Sequence, residues 1–195
     1  MTASEAEIRA VVSRVVAGMA PQTASPASSS APTAALTAEP GIKPTIAIGA
    51  DHGGYPLKER IGFRLSESGH AVVDCGTDSA DSVDYPDFAH AVAQTVARGD
   101  AAYGIIVDGA GIGSSMVANK VPGIRAALCY DLSSAHNSRE HNHANVLTLG
   151  AGLIGTALAL QIVETWLATP WAEGRHANRV DKITAIEHAY SRSAS

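Results

Sequence analysis

Cysteine is scarce: Cys75 and Cys129 are the only two in 195 residues, and neither stands in a C-x-x-C pair. This excludes a disulfide framework and a structural zinc site, and a reducing, cytoplasmic setting is the expectation. Basic residues are also few, with 14 Lys plus Arg against 19 Asp plus Glu and a formal charge of −5. No basic stripe exists to neutralise a phosphate backbone, so nucleic acid is not an expected partner. No uncharged apolar run reaches the ~18 residues of a membrane span. Residues 1–20, where a secretory signal would have an uninterrupted apolar centre, carry Glu5, Glu7, Arg9 and Arg14. What is there, 46% hydrophobic and 17% charged residues, suits one globular domain with an appended segment.

The appended segment is visible as a break in composition. Residues 21–44 hold five prolines among Ala, Ser and Thr and read as a flexible linker. Before it, Ile8, Val11, Val12, Val15, Val16 and Met19 fall on one helical stripe. Ser4 and Glu7 form an S-x-x-E cap, so residues 1–20 read as a short amphipathic helix on a tether. A helix of that length is marginal alone in water, so its apolar face calls for a partner surface. The domain proper is expected over 45–195.

There, short apolar runs alternate with helical periodicity. The runs TIAIGA, HAVVDCG, YGIIVDGAG, IRAALCY and NVLTLGA read as five buried strands. Helices are expected over 55–68, 87–98, 114–120, 132–141, 154–168 and 180–191. Such alternation predicts an α/β fold, a parallel sheet with helices on both faces. In open sheets of this kind the site forms at the carboxyl ends of the strands, here Asp51-His52, Asp74-Cys75, Asp108-Gly109 and Cys129-Tyr130-Asp131.

Gly109, Gly111 and Gly113 follow the third run directly and let backbone N–H groups approach a ligand oxygen. The spacing G-x-G-x-G, the absence of a P-loop lysine and the preceding acid argue against a nucleotide. Asp108 has two readings of equal weight on position alone: a base projecting over the loop beside an oxyanion cradle, or a cap for the following helix. His141, Asn142 and His143 stand before the fifth run, suited to acid–base work or substrate hydrogen bonding. With His136 they suggest a metal only weakly, because no carboxylate or thiolate has matching spacing. Arg175 and Arg179 lie one helical turn apart and can reach one dianion, for which a phosphate ester is the obvious candidate. Cys75 and Cys129 read as small buried fillers.

Taken together, GADHGGYPLK at 49–58, DYP at 84–86, the glycine loop leading into ANK at 118–120, REHNHANV at 139–146 and EGRHANRVDKI at 173–183 resemble the ribose-5-phosphate isomerase B family, which includes the galactose-6-phosphate isomerase subunits. The likeness spans about residues 45–190. It implies a three-layer α/β/α Rossmann-like domain with a five-stranded parallel sheet, a homodimer or homotetramer with active sites shared between subunits, and no metal or organic cofactor. It also implies an aldose–ketose isomerase working through a cis-enediolate, most simply from ribose 5-phosphate to ribulose 5-phosphate. Carried over by residue, the ring-opening histidine falls on His141 and its substrate-binding neighbour on Asn142. Sugar and phosphate contacts fall on Asp51 and His52, phosphate arginines on Arg175 and Arg179, and further substrate contacts on Tyr85, Gly109, Ala110, Gly111, Ile112 and Gly113.

Three departures stand out. The family's catalytic cysteine falls on Asp108, and the glutamate base of some members on Ser114. The Thr or Ser that helps hold the enediolate falls on Ala110. A third phosphate arginine falls on Gly152. Asp at position 108 also resembles the A-type galactose-6-phosphate isomerase subunit. Another four- to six-carbon sugar phosphate, or a role as non-catalytic partner subunit, therefore stays open. The tethered helix resembles the encapsulation peptides that carry enzymes into bacterial microcompartments, which would make shell proteins the partners of residues 4–19 and the compartment lumen its address.

Overall fold

The computed structural model describes residues 43–191. The tethered helix and nearly all of the linker fall outside them. Five parallel strands are formed: β1 Ile46–Ala50, β2 Val72–Asp74, β3 Tyr103–Asp108, β4 Ala126–Leu128 and β5 Val146–Gly150. Their order in the sheet is β2-β1-β3-β5-β4. The helices are α1 Tyr55–Glu67, α2 Tyr85–Ala97, α3 Ile112–Ala118, α4 Leu132–Glu140, α5 Thr156–Ala168 and α6 Gly174–Ser191. The α/β/α architecture is as expected.

Because side chains alternate across a strand, the central strands bury both faces. Ile46, Ile48, Ile105, Val107, Leu147 and Leu149 pack with Leu57, Ile61, Ile162 and Trp166, the layer of α1, α4 and α5. Ala47, Ile106 and Val146 pack with Val92, Val96 and Ala118, the layer of α2 and α3. On this second side α2 comes close. A Cβ on Gly49 or Gly104 would meet a different methyl of Val92, each at 2.7 Å.

Three helices begin earlier than the periodicity suggested. Helix α2 starts at Tyr85 rather than 87, with Pro86 in its first turn, where a missing N–H costs nothing. Helix α3 starts at Ile112 rather than 114, straight from Gly111 at φ +76°. Helix α6 starts at Gly174 rather than 180. Its first turns look polar, but His176 and Val180, one turn apart, are its buried pair.

Candidate active site

The sheet sorts the expected site residues into two groups. Asp51, His52, Tyr85 and residues 109–113 sit at the carboxyl ends of the strands. His141 and Asn142 follow α4, which runs back from β4, and so sit at the amino end of β5. Helix α6 joins them there: the Ala172 amide donates to the Glu140 carbonyl at 3.1 Å, and His176 stacks on His141. The six residues of β3 alone span roughly 20 Å at about 3.3 Å each. One chain therefore keeps its glycine loop and its His141 group on opposite rims of the sheet. The expectation that the whole site gathers at the carboxyl ends holds for the first group only.

At the carboxyl rim, Asp51 turns back to cap the chain, its Oδ1 accepting from the Gly54 amide at 2.8 Å. Exposed His52 places Nδ1 3.2 Å from both the amide and the carbonyl of Val83. Tyr85 lies across Gly113, where a Cβ would fall 2.7 Å from the phenol oxygen. Asp108 does not project over the loop into the crevice. It is 4% exposed and folded beneath the loop. Its Oδ1 accepts from the amides of Ala110, at 2.7 Å, and Gly111. Its Oδ2 accepts from the Ser114 amide at 3.2 Å and from the Ser114 hydroxyl. Four donors match the lone-pair capacity of one carboxylate, so the cradle that could hold a substrate oxyanion holds the chain's own anion.

Tyr130 pins the same loop from the other side, its hydroxyl donating to the Ala110 carbonyl at 2.6 Å. The sequence placed Tyr130 at a strand end but assigned it no role, because a tyrosine after a strand carries no signal of its partner. Gly152 also faces the loop: its amide donates to the Gly109 carbonyl, and a Cβ there would lie 3.0 Å from that oxygen.

At the amino rim, His141 is held on three sides. Asn137 Nδ2 lies 2.9 Å from its Nδ1 and Glu140 Oε2 3.0 Å from its Nε2. The His176 ring covers its face. Burial, then the charges of His141, Arg175 and Arg179, push His176 below the ordinary imidazole value. His176 is a second residue missed in the sequence, although it lies between the two arginines. Both guanidiniums stand exposed on the first turns of α6, on either side of it. His143 stacks on Trp171 at 4.7 Å between centroids, and burial with Arg125 and Arg139 nearby lowers it too. Beside Asn142 opens a groove of about 680 Å³, floored by Ile124, Ala126, Ile183 and Ile186.

Burial raises both thiols, Cys75 and Cys129, and holds them protonated, in keeping with packing roles. Among the described residues no group of three or more His, Cys, Asp or Glu side chains has the geometry of a metal site. No described helix is long and apolar enough to cross a membrane.

The family profile described as Ribose/Galactose Isomerase matches residues 46–183. The chain belongs to that family. Ribose-5-phosphate isomerase B of Escherichia coli K12 is 47% identical over 142 residues, covering 73% of this chain and 95% of that one. The Mycobacterium tuberculosis H37Rv protein of the same name is 39% identical over 145 residues, covering 73% and 90%. Among solved structures, ribose-5-phosphate isomerase B of Clostridium thermocellum superposes with a TM-score of 0.74 at 52% identity, covering 75% of this chain and 99% of that one. As a member of the ribose/galactose isomerase family the chain is an isomerase, and its family segment coincides with the sheet and helices described above.

Proposed function

We propose that this chain interconverts ribose 5-phosphate and ribulose 5-phosphate, in sites that each combine the glycine-loop rim of one protomer with the His141 rim of another. The observation that carries this reading is the glycine-loop cradle: its amides already hold a carboxylate, so they suit the oxyanion of an enediolate. The separation of the two rims supports a shared site in a homodimer or homotetramer. The apolar groove beside Asn142, flanked by exposed Ile186 and Tyr190, suits a protein surface better than a sugar phosphate.

In the proposed reaction Arg175 and Arg179 hold the phosphate dianion, with His52 and Asp51 on the sugar and phosphate from the facing rim. His141 moves the proton that opens the ring, and Asn142 orients the chain. Asp108 takes the C2 proton, the C2–H bond electrons form the cis-enediolate, and the proton returns to C1. As the enediolate oxygen enters the loop, the Ala110 and Gly111 amides pass from the carboxylate to the substrate. Tyr85, Ile112 and Gly113 border the opening.

One observation favours a second reading. With its lone pairs taken up, Asp108 offers no free base, as in a partner subunit that completes another chain's site. An assay of the purified chain alone against four- to six-carbon sugar phosphates separates the two. Turnover of ribose 5-phosphate supports the first reading, and preference for another substrate reassigns it to the space left by Ala110 and Gly152. Activity only on mixing with a cysteine-bearing relative supports the second. The microcompartment address rests on the sequence pattern of residues 4–19 alone. Fusing residues 1–20 to a fluorescent protein tests it, and failure to co-purify with shells removes it.

A further inference from the structure

Arg139 is a buried cation, 4% exposed, and forms no ion pair among the described residues. Two rings enclose it instead: its guanidinium carbon lies 4.5 Å from the centroid of Tyr103 and 4.9 Å from that of Trp166. These rings meet edge to face, and Trp166 Nε1 donates to Ser138 Oγ at 3.1 Å, so the slot is itself braced. Desolvating a charge without a counter-ion is costly, and a guanidinium stacked on aromatic faces is the form that best tolerates it.

The fork is aimed at the chain that carries His141. Nη1 donates to the Ala144 carbonyl at 2.5 Å and Nη2 to the Tyr103 hydroxyl at 2.8 Å, while Nε has no partner among the described residues. The Arg139 carbonyl accepts the His143 amide at 3.2 Å. Arg125 takes the preceding carbonyl, its Nε donating to His143 O at 2.9 Å. Two guanidiniums thus hold consecutive carbonyls of a turn in which His143 has φ +51°, a conformation that costs a residue with a side chain and needs support. Everything between Arg139 and Ala144 is tied at both ends, and that interval contains His141 and Asn142.

We propose that Arg139 is a positioning residue for the ring-opening step: from its aromatic slot it fixes the turn that sets His141 against the sugar. This rests on the isomerase reading above. It predicts a loss confined to one half-reaction. Ribose 5-phosphate is cyclic and must be opened, whereas in ribulose 5-phosphate the C5 oxygen is esterified and the ketose is open-chain. Exchange of a C1 proton of the ketose with solvent requires enediolate formation but no ring opening.

The test compares the full-length chain with Arg139→Lys, which keeps charge and loses the fork, and Tyr103→Phe, which removes only the Nη2 acceptor. Aldose turnover and KM are read against deuterium incorporation at C1 of ribulose 5-phosphate by NMR. Displacement by ~1 Å costs up to about 100-fold, so Arg139→Lys should lower aldose kcat by about 10- to 100-fold with KM and ketose exchange near wild type. Tyr103→Phe should shift the same ratio less, and it decides the matter alone if melting shows Arg139→Lys unfolded. Equal losses in both directions, or an unchanged aldose rate, overturn the proposal. A wild-type chain silent in both directions overturns the isomerase reading, and this inference with it.

Discussion

His176 lies flat on His141, with ring centroids 4.3 Å apart and planes 8° apart. A proton on His176 would face burial and the charges of His141, Arg175 and Arg179, which is why its folded value falls below the ordinary 6.5. The unfolded chain then binds more protons than the folded one below pH 6.5. The corresponding stability is fully present above that pH and is lost as pH falls through the folded value. Urea midpoints measured between pH 7 and 5 should therefore decline. His176→Phe, which keeps a flat ring and removes the titration, should flatten part of that slope, with His143 contributing the rest. An identical slope in the variant removes His176 from this account.

Asp108→Asn separates the two jobs of the carboxylate. The amide oxygen can still accept from Ala110 and Gly111 and the amide nitrogen can donate to Ser114 Oγ, so only the Ser114 N–H loses its acceptor and the protein should fold with a modest loss of stability, about 1–3 kcal/mol. Turnover should fall by at least ~100-fold, the low end for removal of a general base. Asp108→Ala should also cost stability, because buried amide donors are left unpaired at about 1–3 kcal/mol each. Normal turnover by Asp108→Asn would assign the carboxylate to the loop's architecture alone.

Arg175→Ala and Arg179→Ala should each raise KM for the sugar phosphate more than they lower kcat. Lysine at either position should restore only part, because a point charge replaces a planar fork. Steady-state kinetics with competing inorganic phosphate provides the check: phosphate should inhibit the wild type and lose potency in both alanine variants.

If each site takes one rim from each of two chains, His141→Ala and Asp108→Asn should be inactive apart and active together. Random pairing of the two in a dimer places one intact site in half of the molecules, for about a quarter of wild-type activity on co-expression. No recovery in a confirmed mixed oligomer would place the whole site within one chain.

Much of this fold could be read from residues in order. Runs such as IAIGA and the YGIIV that precedes Asp108 are short and carry no charged or amide side chain, which suits a doubly covered parallel strand. The glycine loop and its strand-end acid were legible for the same reason. The direction of the Asp108 side chain was not, since both readings put the acid at the same place and differ only in a rotamer. Nor was the division of the site. Periodicity tells that α4 exists, but only the strand order and direction carry its last residue, and with it His141, to the far rim. The roles of Tyr130 and His176 went unread because each acts through a contact distant in sequence, the Ala110 carbonyl for one and the His141 ring for the other.

The distance between the two ends of β3 has a consequence for any measurement on this enzyme. If each site draws on both rims, the chain is competent only while associated, and specific activity should drop on dilution below the dissociation constant and recover on concentration. Substitutions on the apolar floor around Ile183 and Ile186 would then behave in a rate assay like changes to the chemistry, with the protein concentration at half activity telling them apart.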